Sequence, residues 1–434
     1  MNASAAAAPE ESEVALASDM PDEPVSGDER IVALDFIRGI AVLGILFPNI
    51  VAHGDAILSY FWPPNLPGGA TAADKAFWLF QLVLIDGKFR GLFTLLFGAG
   101  LMLFAERVRA RGASRWLQVR RLAWLALFGL VHFFLIWTGD ILFLYAVSGL
   151  FALTMINWSA ATQLKVGVVW FLAGSLFLTT AMGGQAALES IPEARQSAPA
   201  QYADAKEGWA EQLAKAKTET AAMSGDSYAG VVEYRFEEEA GEIVQAVVFG
   251  PLETIPLMLI GMALYRMGLF ERRLDRAKMR QWGWIGVIGG AALTVPLGLL
   301  AYTADFPLAL TLFAFNGPAA FMHLPMVLGL AALLSLWAPT AAQTMLGSRF
   351  VAAGRMAFSN YLGTSIVMML IFQGWAGGLF HRFHRPELLL FALLGWALML
   401  LWSKPWLARF RYGPLEWLWR CLTYWRLFPI RRAQ

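Results

Sequence analysis

The sequence predicts an all-α fold, a polytopic transmembrane helix bundle of about ten spans with both termini cytoplasmic and one helical loop outside. Three observations predict it. Of the 434 residues, 58% are hydrophobic and 15% charged, whereas a soluble domain is about 45–50% apolar and about 25% charged. Mostly apolar runs of about 20 residues, the length that carries a helix across hydrocarbon, recur along the chain. Blocks of arginine fall between those runs at intervals that put them all on one side, as positively charged cytoplasmic loops would be.

Taken in order, residues 1–29 carry eight acidic side chains and no basic one. They lack the positive start of a signal peptide and read as a disordered cytoplasmic tail. The transmembrane domain occupies 30–430, with spans expected at 34–54, 88–106, 117–137, 140–157, 163–183, 243–266, 282–302, 318–338, 356–376 and 387–403. Residues 74–86 are apolar but too short to cross, and end at Asp86-Gly87-Lys88, so they read as an interfacial or re-entrant helix. Residues 184–242 hold twelve acidic and five basic side chains. Their stretch Pro199 to Thr220 is rich in Ala, Glu, Lys and Gln, which favours a solvent-exposed helix. This segment is expected to be an extracytoplasmic cap without a core of its own.

Orientation follows from Arg107, Arg109, Arg111, Arg115, Arg120 and Arg121 after the second span, and from Arg266, Arg272, Arg273, Arg276, Lys278 and Arg280 after the sixth. The discordant stretch is His381-Arg382-Phe383-His384-Arg385, which this topology places outside. A net charge of +2, with arginine in short loops, points to membrane orientation rather than to a polyanion partner, so no nucleic acid is expected. A single cysteine, Cys421, excludes an intrachain disulfide and a cysteine-rich metal site, and no metal is expected. No internal repeat is visible, which weakens a carrier built from paired repeats.

Ionisable groups inside a span cost about 3 kcal/mol at mid-membrane on insertion scales, and they face a partner or a cavity. Asp35 and Arg38, three apart on one helix face, can pair with each other. Asn49 and His53 share a face near the outer end of the same helix, where an imidazole can serve as a general base. Lys88 and Arg90 open the second span between glycines; snorkelling to headgroups is the structural alternative. His132 sits in the outer part of the third span, and Asp140 follows the turn Thr138-Gly139. Asp140 serves either as a favourable charge at a helix N-terminus or to orient His132 or a substrate hydroxyl. Glu253 sits between Pro251 and Pro256, and Asn316 and His323 flank the start of the eighth span. In this topology His53, Lys88, Arg90, His132, Asp140, Glu253 and His323 converge on the outer half of the membrane.

The ordered motifs LDFIRGIAVLGIL, DGKFRGLFTLLFGAG, GLVHFFLIWTGDILFLYAVSG, GRMAFSNYLGTSI and FRYGPLEWLWRCLTY resemble those of the YeiB-like bacterial membrane proteins, a family defined by a domain of unknown function. The resemblance covers about residues 30–430 and places the chain in a bacterial cytoplasmic (inner) membrane. That family is distantly similar in its first span to transmembrane acyltransferases of the heparan N-acetyltransferase type, whose helices open as Arg30, Leu34-Asp35 and Arg38-Gly39 do here. The resemblance implies transfer of an acyl group from cytoplasmic acyl-CoA to a glycan or lipid-linked acceptor beyond the membrane.

In that reading His53 or His132 is the base and Asp140 orients the imidazole or the acceptor. Asn49, Lys88, Arg90, Glu253 and His323 bind substrate, while Asp35, Arg38, Arg355 and Asn360 meet the carrier's nucleotide. The alternative is a transporter in which the same charges line a solute or proton path. A scaffold or sensor with structural polar residues is the remaining class. The bilayer is the expected partner, and homo-oligomerisation is left open.

Overall fold

A computed structural model describes residues 31–112 and 114–432; the acidic tail read at 1–29 lies outside them. Helices α1 (Val32–Gly54), α2 (Ile57–Phe61), α3 (Ala72–Phe80) and α4 (Lys88–Ala110) come first. They are followed by α5 (Trp116–Val131), α6 (Leu142–Thr154) and α7 (Ala160–Ser190). The polar segment forms α8 (Pro192–Ser197), α9 (Pro199–Ser224) and α10 (Tyr228–Glu237). Then come α11 (Ala240–Phe249), α12 (Pro251–Arg266), α13 (Arg276–Thr303), α14 (Leu308–Asn316) and α15 (Ala319–Ala341). The chain ends with α16 (Met345–Arg355), α17 (Ala357–Phe372), α18 (Arg385–Arg409) and α19 (Pro414–Tyr424). The described residues hold no strand, only an isolated bridge between Phe410 and Arg431.

The protein is an all-α transmembrane bundle. Among the described residues seven helices are long and apolar enough to cross a membrane, and two bent pairs raise the count to nine. Each of the ten expected spans has a helix. The fourth, expected at 140–157, is helical only over the thirteen residues of α6, which at 1.5 Å per residue is about 20 Å, short of a bilayer core. One other, expected at 243–266, is broken where Gly250 joins α11 to α12 at a 52° bend; the ninth, expected at 356–376, is the sixteen-residue α17, which α16 meets at 86°. The apolar stretch at 74–86 becomes α3 and a wide π turn, Gln81–Ile85, before Gly87 at φ 71° turns the chain into α4.

α1 is the axis of the bundle, with α4, α15, α16, α17 and α18 packed around it. Its apolar window is 78% buried, against 22% for α7 and α13, so the latter two face lipid. α4 and α12 cross backbone to backbone. A Cβ at Gly98 would lie 2.1 Å from the Met258 carbonyl oxygen, and one at Gly261 would lie 1.9 Å from that of Leu95. Small residues allow such contact where no hydrophobic force drives helices together in lipid. Gly261→Leu is therefore expected to lower stability by about 3 kcal/mol, the upper range of overpacking. Gly100→Ala, whose added carbon meets nothing, leaves the thermal midpoint in detergent where it is. Equal midpoints for the two variants would contradict the crossing.

The segment 184–242 has no separate core. Ala216 packs with Ala56, Leu58 and Leu308, and Met223, Val231 and Tyr234 pack with Ile50, Val51, Met368 and Phe372. It closes one end of the bundle, the insertion end. The opposite end, where α1 and α5 begin and α4 finishes, is the arginine end.

Candidate functional site

A cavity of about 330 Å³ opens at the arginine end between α1, α4, α5, α17 and α19. Arg38, Arg107, Arg121, Arg355 and Arg420 line it, against the carboxylates of Asp35 and Glu416. Asp35 accepts from Arg38 Nη1 at 2.7 Å, the pairing that their spacing suggests. Glu416 caps α17, accepting from Phe358 N (2.9 Å), Ser359 N (3.1 Å) and Ser359 Oγ (2.5 Å). Asp35 is thus engaged with Arg38, and Glu416 with the backbone of α17. Arg121 is held between the rings of Phe104 and Trp419, 4.8 and 4.5 Å from their centroids, a stacking that guanidinium favours. Deeper walls are apolar, with Phe93, Leu96, Phe97, Leu125 and Phe358, and the inner end is set by Leu142, Tyr145 and Tyr361.

Just past Tyr361 lie three of the residues singled out from sequence. His132 Nδ1 is 2.8 Å from Asp140 Oδ1, and both side chains are buried. The other oxygen, Oδ2, accepts from Phe143 N at 2.8 Å at the start of α6. Asp140 therefore bonds the imidazole with one oxygen and the start of α6 with the other. The carboxylate fixes the imidazole proton on Nδ1 and leaves Nε2 with its lone pair, and Nε2 is buried without a partner. The Tyr361 ring packs 5.1 Å from His132, and its hydroxyl donates to the Gly139 carbonyl at 3.1 Å. His53 stacks on Trp137 at 3.9 Å. Together with Asn49 these two line a pocket of about 10 Å³, and with Glu219, Arg235 and Gln373 a second of about 20 Å³.

The remaining outer residues form a separate cluster. Arg90 Nη2 donates to Glu253 Oε2 at 2.7 Å, and Lys88 Nζ donates to the Leu82 carbonyl at 2.6 Å. Tyr60 bonds to Asp86. His323 packs against Gly87, where an added Cβ would lie 2.3 Å from the ring, and neither of its nitrogens has a partner. Tyr145 Oη, which reaches the Arg90 carbonyl at 3.2 Å and Thr94 Oγ1 at 2.5 Å, links this cluster to the cavity. Asn360 is not part of the cavity lining. Its amide donates to the Ala353 carbonyl and to Ser403 Oγ, and accepts from Trp402 Nε1 at 2.7 Å, so it joins α17 to α18. Among the described residues no three His, Cys, Asp or Glu side chains converge as a metal site requires.

The insertion covers the histidine side. Arg235, almost fully buried, donates to the carbonyls of Ile136 (3.0 Å) and Phe134 (3.4 Å). Glu219 accepts from Ile57 N at 3.0 Å. Burial pushes the Glu219 carboxyl up to about 8 from its ordinary 4.5; the charges of Glu239 and Asp55 add to that, while the Ile57 N–H and Lys215 oppose it. Glu239 is itself raised, mainly by burial. A raised acid holds its proton in the docked state, so docking is strongest below about 4.5 and weakens as pH rises to about 8. Protection of the insertion against limited proteolysis in detergent is expected to fall over that window. Glu219→Gln should flatten the profile, leaving only the slope contributed by Glu239; an unaltered profile would count against the docked carboxyl.

The basic stretch at 381–385 lies at the insertion end, and acids neutralise it there. His381 Nδ1 is 2.9 Å from Asp55 Oδ2, and His384 Nδ1 is 2.8 Å from Asp74 Oδ2. The Asp55 hydrogen bond holds the His381 imidazole above its ordinary value. Arg385 is buried, donating to Gln81 Oε1 and to the carbonyls of Ser59 and Tyr60 at 2.6, 2.6 and 2.9 Å.

This chain is 32% identical over 397 residues, 91% of its own length and 96% of the relative, to "Uncharacterized protein YeiB" of Escherichia coli (strain K12). The chain belongs to the YeiB family. It is also 30% identical over 421 residues, 98% of the relative, to "Uncharacterized protein YxaH" of Bacillus subtilis (strain 168). An uncharacterized 39.9 kDa protein encoded in the amylase 3' region of Bacillus acidopullulyticus is 28% identical over 413 residues. Residues 264–426 match the family model described as "Protein of unknown function (DUF418)". The YeiB-family motifs GRMAFSNYLGTSI and FRYGPLEWLWRCLTY supply Arg355, Phe358, Tyr361, Tyr412, Glu416, Trp419 and Arg420 to the cavity. Of these only Arg355 was a candidate from sequence. Tyr145, Tyr361, Arg107, Arg121 and Arg420 were not candidates from sequence, because tyrosine raises no alarm in an apolar run and Arg107 and Arg121 read as topology signals; Arg420 carries no such sign.

Proposed function

We propose that this YeiB-family chain is a transmembrane acyltransferase of the bacterial inner membrane, with acyl-CoA entering from the cytoplasm and the acceptor from the opposite side. The observation that carries the reading is the cavity that runs from a mouth of five arginines to Tyr361, whose ring packs on the far side against His132 of the Asp140–His132 pair. The arginines suit a carrier's phosphates, the apolar walls suit its pantetheine and acyl arm, and His132 Nε2 is the open base. His132 takes the proton of an acceptor hydroxyl or amine as that oxygen or nitrogen bonds to the thioester carbonyl carbon. The carbon–sulfur bond then breaks, and His132 returns the proton to the departing CoA thiolate. Asn49, beside His53, is the amide at hand for the developing oxyanion. Lys88 and Arg90, held in the other cluster, bear on the reaction through Tyr145. The acceptor's class is a glycan or lipid-linked sugar reached under the insertion.

The test is incubation of the purified full chain with acyl-labelled CoA of several chain lengths. Saturable binding with release of CoA is the expected result, weakened by Arg38→Glu; no binding and no release at any length would sink the reading. Transport is the second reading, favoured by one observation: the small pockets continue the line of the cavity from Tyr361 to Glu219 and Arg235. Solute uptake into proteoliposomes without chemical change would decide for it.

A further inference from the structure

We infer that Tyr361 is the partition between the carrier cavity and the histidine chamber, and that its ring determines which acyl groups pass. Of the residues lining the two spaces, Tyr361 alone belongs to both. On its cavity side there are about 330 Å³. On the other side, with Asn49, His53 and Trp137, there are about 10 Å³, room for about one water.

The ring therefore marks a step from a space that holds a carrier arm to one that holds a single small group. It also stands 5.1 Å from His132, the imidazole with an open nitrogen. A group extending from the cavity toward that chamber must pass the ring or displace it. What holds the ring is local: its hydroxyl bonds to the backbone at Gly139 and Ile141, in the turn between α5 and α6, and its face packs in the core. Its own helix begins at the 86° bend between α16 and α17, where Glu416 caps the backbone. Tyr361 is thus fixed at its base by its helix and at its tip by the α5–α6 turn, so the ring spans the boundary between the two spaces. The statement that acyl length is selected here rests on the acyl-transfer reading. The partition itself does not.

The sequence supplies a direct test, because it has a single cysteine, Cys421, which is buried and whose sulfur accepts from Phe428 N, a bond that a serine oxygen can also accept. In a Cys421→Ser background, Asn49→Cys places a thiol in the small chamber and Leu142→Cys places one in the large cavity. The probe is the anionic 2-sulfonatoethyl methanethiosulfonate, applied to the full chain in detergent. With Tyr361 present, Asn49→Cys is expected to react slowly; Tyr361→Ala accelerates it at least tenfold, while Leu142→Cys reacts at one rate in both and so reports an intact fold. Tyr361→Phe keeps the ring and is expected to stay within threefold of the parent. Should Tyr361→Ala lose the Leu142→Cys rate, Tyr361→Leu replaces it, with at least a threefold acceleration expected. An Asn49→Cys rate indifferent to Tyr361 overturns the partition.

The second arm compares acetyl-CoA with octanoyl-CoA. Tyr361→Ala is expected to shift the ratio of kcat/KM toward the longer chain at least tenfold, and a uniform fall for both overturns the selection. If the wild-type chain turns over neither, the acyl-transfer reading fails while the thiol arm still decides the partition.

Discussion

His132→Gln is expected to lower acyl transfer by about a hundred- to ten-thousandfold, the span that a positioned general base contributes. The loss should fall on kcat, since His132 lies beyond the cavity that would hold the carrier, and carrier affinity should change little. Glutamine preserves much of the volume, so the thermal midpoint should move far less than the rate. Asp140→Asn retains an oxygen for Phe143 N but loses the charge that pairs with imidazolium, so a smaller fall in kcat is expected, with the same affinity. His53→Gln removes a ring stacked on Trp137 rather than a group paired with a carboxylate, and it should cost less than His132→Gln. The reverse order of the two histidines would transfer the role of base to His53.

Arg385→Met should be among the most destabilising single changes in the chain. The guanidinium is buried and satisfies Gln81 Oε1 and the carbonyls of Ser59 and Tyr60, while the Arg385 amide donates to Asp74 Oδ1 at 2.8 Å. Methionine fills part of the volume and satisfies none of these acceptors. The expected loss is about 3–5 kcal/mol, the scale of a broken buried charge network, read as a lowered midpoint of thermal unfolding in detergent. Arg382→Met, with its side chain outside this network, serves as the control. Equal midpoints would mean that water already fills the junction of α2, α3 and α18.

The fold was legible because hydropathy is a strong signal over twenty residues, and each expected span has its helix. What hydropathy does not carry is continuity. It gave no sign that 140–157 is helical for only thirteen residues, nor that α16 and α17 meet at 86° around Met356. The site was legible where a costly residue type marked it. His53, His132 and Asp140 were recoverable because ionisable groups rarely lie in apolar runs, and the structure brings them around Trp137. Their separation from Arg90, Glu253 and His323 was not recoverable, because depth in the membrane can be read from position in a span but azimuth around the bundle cannot. Asn360 illustrates the opposite failure. An amide in a span draws attention, yet here it is consumed by Ala353, Trp402 and Ser403. Asp55 and Asp74 escaped notice as ordinary acids beside a span, although they are what allows the 381–385 stretch to lie where the arginine pattern would forbid it.

That pairing also bears on how the chain is made. The partners of Arg385 are Ser59, Tyr60, Asp74 and Gln81, more than 300 residues earlier in the sequence. They leave the ribosome long before it does, so the first helical hairpin is in place when the final one arrives. Residues 264–426, the part that the family model recognises, do not include those partners. Expressed alone, that segment is expected to leave the Arg385 guanidinium without the acceptors that hold it; co-expressed with the residues before it, it regains them.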